Sequence, residues 1–310
     1  MKSFHDALVF LDYHGSMMTR QRQQGRVNRK IIAMALLGIT LLTPAAADQV
    51  QEQAVLSPAK DIVYSGQEKL HFSISWSGGI KIGDLWLSLE ESGTESLLIE
   101  VVVRDYGLFR FFYPVDDRFV TTLDKKTLLP LRYEVDQVEG HGKHHTRRLT
   151  IYDQHHFVAL YQKNDGPRQR QSMGGPAHNE FSSFYWTRIL QFSGKSEPIV
   201  PTFVDGKRHL VRVALEGKST MNNTIFGDVS VLGVQPKMHF KGLYDKDGAT
   251  TFWLTDDDCR VPMRIRSKIL IGSLVADLVE YSNPACTQWR DWRKQLQERK
   301  KNRPPIGVGD

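Results

Sequence analysis

The stretch EKLHFSISWSGGIKIGDLWLSLE, residues 68–90, decides the fold. Leu70, Phe72, Ile74 and Trp76 fall on one side of an extended chain, and His71, Ser73, Ser75 and Ser77 fall on the other. A period of two marks a strand with one face in a core and one in water. Ser77-Gly78-Gly79 then turns the chain, and Ile80, Ile82, Leu85, Leu87 and Leu89 carry a second strand. Its apolar phase slips by one residue at Gly83-Asp84. Such a slip sends the apolar set to the wrong face unless a β-bulge absorbs it, and glycine favours a bulge. The expectation is a bulged hairpin with Leu70, Phe72, Ile74, Trp76, Ile82, Leu85 and Leu87 facing inward and the phase change at Gly83.

Strand signals continue outward from this hairpin at the short, regular spacing of an all-β sandwich or barrel. They cover residues 96–104, 118–123, 129–138, 146–152 and 157–162, and, after an interruption, 199–204, 209–216, 226–234, 250–255, 261–267 and 269–281. Turn chemistry separates them at Glu91-Ser92-Gly93, Gly140-His141-Gly142, Asp205-Gly206 and Asp245-Lys246-Asp247-Gly248. Arg132, Glu134 and Asp136 alternate with Leu131, Tyr133 and Val135, so the polar face carries charge. An outer-membrane barrel, with its apolar outer band, is excluded.

The interruption opens with a Gly/Pro/Gln-rich stretch, 163–176, read as an exposed loop. Asn179 then caps a helix over about 179–192, with apolar positions Phe181, Phe184, Tyr185, Ile189 and Phe192 and Gly194 as its stop. This aromatic stripe reads as core packing or a plug in a barrel mouth, with ligand lining as the alternative, Tyr185 and Trp186 being the residues concerned. The segment YGLFRFFY, 106–113, is apolar on both faces of an extended chain. It reads as buried, or as a greasy lip at a barrel opening, in which case Phe109, Phe111 and Tyr113 would join Trp76 in lining a ligand site.

Charge and cysteine usage bear on the compartment. The chain of 310 residues carries a net charge of +6, but residues 1–47 hold six basic and two acidic residues and 287–304 hold seven and two. The remaining body is slightly acidic, so a nucleic-acid footprint over a folded face is not supported. Arg20, Arg22, Arg26, Arg29 and Lys30 precede an apolar run, 31–42, that ends in Ala45-Ala46-Ala47. This is the pattern of a secretory signal peptide over 1–47, with Met17 or Met18 as an alternative start, and it points to Sec-dependent export to a bacterial periplasm. The run is shorter than the ~20 residues a membrane span needs. Residues 48–61 read as a flexible leader, 62–286 as one β-barrel-like domain, and 287–310 as a basic tail. Cys259 and Cys286 are the only cysteines, each at a strand boundary, and an oxidising compartment allows them to pair. In the tail Trp289, Trp292 and Leu296 share one helical face among basic residues. That tail either docks on the barrel or meets an anionic membrane or a partner protein through Trp289, Trp292, Arg293 and Lys294.

No arrangement that carries chemistry stands out. His141, His144 and His145 lie one strand length, ~25 Å, from His155 and His156, too far for a compact metal site. Asp256-Asp257-Asp258 lacks the remaining ligands of a calcium loop. There is no nucleophile elbow, zinc helix or phosphate loop. No catalytic residue, metal or cofactor is therefore assigned.

Three motifs in order carry a resemblance: WSGGIKIGDLWLSLE with Trp76, Gly79 and Gly83; FSSFYWTRIL with Ser182, Tyr185 and Arg188; and TFWLTDDDCRVPMRI with Trp253 and Pro262, followed by Ile271-Gly272-Ser273. Together they resemble the domain of unknown function 3108 family of exported bacterial proteins, over about 63–281. The resemblance implies a periplasmic β-barrel-like protein and transfers no catalytic residue. The fold expected is all-β with one internal helix. It is an antiparallel β-barrel or strongly curved half-barrel, lipocalin-like or lipoprotein-carrier-like in outline, with a C-terminal tail able to form a helix. For function, the expectation is a non-enzymatic binding protein for a hydrophobic or amphipathic envelope ligand, a lipid or lipid-linked glycan, since barrels of eight or more strands readily enclose an apolar cavity. Alternatives are an assembly or scaffold protein using an edge strand or the tail, and an envelope-polymer hydrolase with clustered carboxylates.

Overall fold

The structure, a computed structural model, describes residues 56–142, 144–192, 197–237, 250–268 and 272–301. The signal-peptide pattern and Gly194 lie outside these residues. Fourteen described strands form one antiparallel sheet. β1 (Gln67–Trp76), β2 (Ile80–Glu91), β3 (Ser96–Asp105), β4 (Val115–Asp124), β5 (Pro130–Glu139), β6 (His144–Asp153), β7 (Val158–Lys163) and β8 (Gln169–Ser172) follow one another as a meander. A second meander runs through β9 (Ile199–Val204), β10 (Lys207–Thr224), β11 (Gly227–Lys237), β12 (Thr250–Thr255), β13 (Pro262–Lys268) and β14 (Ser273–Ser282). The two join where β1 pairs with β14, leaving β8 and β9 as the edges.

The opening hairpin forms as its alternation requires. Leu70, Phe72, Ile74, Ile82, Leu85 and Leu87 are buried, while Trp76 at the strand end is half-buried. The register passes from Ile74 opposite Gly83 to Ser75 opposite Lys81, so Ile82 is the extra residue of a bulge and the phase changes at Gly83. The reason for glycine is space rather than left-handed backbone. A Cβ at Gly83 would stand 2.6 Å from the Arg104 carbonyl oxygen of β3.

A helix, α3 (Glu180–Arg188), fills the inside of the sheet. Asn179 caps it as expected: its side-chain oxygen accepts from Ser182 N at 2.8 Å, and Ser182 Oγ accepts from Asn179 N at 2.9 Å, a reciprocal cap worth ~1 kcal/mol. Phe181 packs on Phe119 of β4 at 5.1 Å between ring centres, and Phe184 packs on Phe252 of β12 at 5.0 Å. In a flat sheet β4 and β12 would be six strand spacings apart, or ~29 Å. One helix ~10 Å across touches both, so the sheet is tightly curled.

Curling brings the two edges together without closing the hydrogen-bond ring. Arg148 of β6 reaches Asp205 in the β9–β10 turn at 2.8 Å. Arg208 of β10 donates to the carbonyls of Met173, Gly175 and Pro176 at 2.9–3.1 Å. The β9 edge is capped by His178, whose N–H donates to Pro201 O while its carbonyl accepts from Phe203 N. This seam-holding segment blunts an edge that would otherwise pair with other chains.

Several sequence expectations need correction. The leader is not unstructured to residue 61: α1 (Ala59–Val63) buries Ala59 and Val63 completely. The expected loop 163–176 contains β8, a short polar edge strand without alternation. The segment 106–113 is not extended but holds α2 (Gly107–Phe112). The internal helix ends at Arg188 rather than near 192. Leu131 is 37 % exposed, because a register shift beside Thr122 makes it an extra residue. The tail does form a helix, α4 (Trp292–Lys301), after a turn of 3-10 helix at Thr287–Trp289.

Candidate functional site

Strand alternation places polar residues inside the curl at both of its ends, with different results. At the β12–β13 end, Glu68 of β1 and Arg188 of α3 form a bidentate pair at 2.5 and 2.7 Å, both side chains fully buried. Arg188 Nε also donates to Arg260 O at 3.1 Å, and its guanidinium lies 5.1 Å from the centre of the Tyr185 ring. Burial disfavours the guanidinium charge, but Glu68 outweighs it and holds the proton more firmly than usual. The phenols of Tyr64, Tyr185 and Tyr281 crowd the same pair, and burial pushes all three well above their ordinary value. Here Glu68 and Arg188 neutralise each other within the protein. Such a matched, buried pair is committed to holding the architecture.

The disulfide Cys259–Cys286 lies at this end, with Cα atoms 5.6 Å apart, and ties the β12–β13 turn to the chain beyond β14. Trp289 stacks on Phe226 at 4.3 Å, and its indole N–H donates to Asp257 at 2.9 Å. Trp292 is buried and donates to the Tyr281 carbonyl at 2.9 Å. The two tryptophans proposed for a membrane or partner contact therefore pack against the sheet. Arg293 and Lys294 remain at the surface. Asp257, read from sequence as a turn residue, accepts from Thr255 Oγ1, Cys259 N and Arg260 N, which is the turn itself.

At the β1–β2 end the inner face changes from apolar to polar over four neighbouring strands. Asp105 of β3 follows Leu97, Ile99, Val101 and Val103 in phase, and Asp117, Gln137, Glu139 and Arg148 take the corresponding inner positions of β4, β5 and β6. Asp105 Oδ1 accepts from Val115 N at 2.9 Å and from Arg110 at 3.2 Å; burial is the largest influence on its carboxyl and raises its pKa. Tyr113 donates to Glu139 at 3.0 Å, and burial followed by the Glu139 charge pushes the phenol up to about 12. Gln137 donates to Asp117 at 3.2 Å and accepts from Arg148 at 3.3 Å, so the network runs on to Asp205 across the seam.

Above this polar lining stands an apolar rim. Ile80 of the β1–β2 hairpin is 65 % exposed and Phe111 of α2 is 73 % exposed, with Tyr106 between the two elements. The Tyr106 N–H donates to Ile82 O, which ties the α2 connection to β2. Trp76 and Tyr113 belong to this end. The Phe109 side chain lies outside the described residues. Tyr185 and Trp186 are elsewhere: Tyr185 is fully buried beside the ion pair, and Trp186 packs on His178 at 5.0 Å. The five histidines fall at opposite ends of β6, with His145 on Asp136 and His156 on Asp153. The inner polar row carried a signal in the sequence, because its residues keep the parity of the apolar face.

The seam crevice beside Arg148, Tyr152 and Phe203 has room for only ≈ 10 Å³. Wider depressions among the described residues lie on the outer face, one of ≈ 330 Å³ over β4–β7 and one of ≈ 410 Å³ over β14–β1–β2–β3.

The sequence profile of a family described as "Protein of unknown function (DUF3108)" matches residues 71–279. The chain belongs to this family. Among solved structures, this DUF3108 chain is similar to a β-barrel-like protein of domain of unknown function DUF1849 from Brucella abortus, with a TM-score of 0.49 and 8% identity over 70% of this chain and 97% of that one. It is also similar to the hypothetical protein CT021 from Chlamydia trachomatis, with a TM-score of 0.31 and 9% identity over 76% of this chain and 96% of that one. No curated protein matches.

Proposed function

We propose that this DUF3108 protein is a non-enzymatic, exported binding protein of the cell envelope that holds an amphipathic ligand, a lipid or lipid-linked glycan, at the β1–β2 end. One observation carries this reading: the inner face turns polar at the end where Ile80, Tyr106 and Phe111 form an exposed apolar rim. An amphipathic molecule matches that order, with its polar head on the Tyr113–Glu139 and Asp105–Arg110 groups and its apolar part along the rim. Because α3 fills the middle of the curl, the ligand sits at the rim rather than in a deep cavity, unlike a lipocalin. The signal-peptide pattern of residues 1–47 and the disulfide support export to an oxidising compartment.

The test is uptake of a fluorescent fatty acid by the purified protein, together with native mass spectrometry of protein isolated from cells. Phe111→Ser is expected to weaken uptake about tenfold, the scale of one large apolar side chain. An absence of bound lipid in the mass spectra together with no fatty-acid uptake would end the proposal.

A further inference from the structure

The ≈ 410 Å³ depression on the outer face of β14–β1–β2–β3 is lined by none of the rim residues Ile80, Tyr106 and Phe111. Its floor follows from the register of the opening hairpin. His71 lies opposite Trp86, both on the outward parity, and the two rings stack at 5.0 Å with an interplanar angle of 11°. The imidazole is held on both sides, Nε2 at 2.9 Å from Asp84 and Nδ1 at 3.7 Å from Glu280. The indole therefore rests on a fixed support while remaining 39 % exposed. The half-bare indole offers a flat apolar platform on the otherwise polar face of the hairpin.

The walls are built from ion pairs. Lys69 pairs with Glu90 at 2.8 Å on one side, and Arg293 approaches Glu280 at 3.9 Å on the other. Arg293 comes from α4, and its guanidinium lies 5.2 Å from the centre of the Trp292 ring, which is itself buried. The helix that the disulfide and the two tryptophans fasten to the sheet thus presents a positioned cation to the groove. This wall lies beyond residue 279, where the family match ends.

We propose that this groove binds a neutral saccharide, with a sugar ring on the face of Trp86 and its hydroxyls between the two ion pairs. A hydroxyl both donates and accepts, so it suits a lining that sets Glu90, Glu100 and Glu280 beside Lys69 and Arg293, with Glu100 held by Arg118 at 2.6 Å. An anionic headgroup would meet three glutamates, Glu90, Glu100 and Glu280, and a cationic peptide would meet Lys69 and Arg293. The sugar ring's C–H face supplies the apolar contact that the exposed indole lacks. The volume falls in the range of sites for small ligands.

Saturation-transfer NMR of the full chain with maltose, N,N′-diacetylchitobiose and their monosaccharides, each at about 10 mM, reads weak binding directly. The expected result is binding of at least one sugar, weakened at least fivefold by Trp86→Ala and by Arg293→Ala, and kept by Trp86→Tyr and by Phe111→Ser. Retention in Trp86→Tyr separates loss of the platform from loss of the fold, and retention in Phe111→Ser separates this groove from the rim. No binding of any sugar, binding unchanged in Trp86→Ala, or preferential binding of inorganic phosphate or a lysine-rich peptide would overturn the proposal.

Discussion

The two ends of the curled sheet solve the same problem in opposite ways. Both place ionisable side chains on the inner face. At the β12–β13 end Glu68 and Arg188 satisfy each other bidentately under complete burial. At the β1–β2 end Asp105 is buried against Arg110, a residue half open to water, and burial raises the pKa of its carboxyl. A charge fully removed from water must be matched within the protein, and once matched it is committed to structure. The Asp105 partner Arg110 is half open to water, so a ligand can compete for its hydrogen bonds.

This contrast can be broken by substitution, and the largest effect is expected at the closed end. Arg188→Ala leaves Glu68 charged and unmatched, and should cost about 3–5 kcal/mol in urea denaturation. The double change Arg188→Met with Glu68→Leu should recover most of that loss; a single variant within 1 kcal/mol of wild type would show that the pair is not a keystone. Next comes the bridge at the same end. Replacing both Cys259 and Cys286 by serine releases a loop with a sequence separation of 27. The midpoint of denaturation should fall by the equivalent of about 3.5 kcal/mol.

His178 lies between the two ends, where it caps β9. Its imidazole is fully buried, and that burial alone pushes its pKa down to about 3 from 6.5. The folded state therefore binds fewer protons than the unfolded chain below pH 6.5. Its contribution is complete above that value and is lost as the pH falls toward 3. About 2 kcal/mol should disappear between pH 6.5 and pH 5, and a His178→Gln variant should show a flatter profile in denaturation midpoints over that window. The smallest effect belongs to the rim. Phe111→Ser should change stability by less than about 0.5 kcal/mol while altering fatty-acid uptake, and a large loss of stability would place Phe111 in the core after all.

The strands were legible because a half-buried sheet repeats every two residues, and the slip at Gly83 was legible because it interrupts that repeat. Why glycine stands there was not, since the approach of the Arg104 carbonyl depends on the third strand. YGLFRFFY satisfies a period of two as readily as a short helix, and only the connection from β3 to β4 decides between them. QRQS in β8 has no apolar face to read, because an edge strand over the seam has little core to meet. The partnership of Glu68 with Arg188 spans 120 residues and exists only once the sheet has curled. Trp86 was the available clue to the outer groove: it sits on the polar parity of its strand, out of phase with every neighbour that packs inward.

The pairing of β1 with β14 sets the timing of folding. Every other strand pairing among the described residues joins neighbours in the chain, but this one ties Leu70 to Tyr281. The first meander can form hairpin by hairpin as the chain is made, while β1 keeps one edge unpaired until β14 arrives. Closing so long a loop is entropically expensive and slow. Through that interval β1 is an apolar edge open to wrong partners, and the two halves remain separate meanders until β14 zips them together.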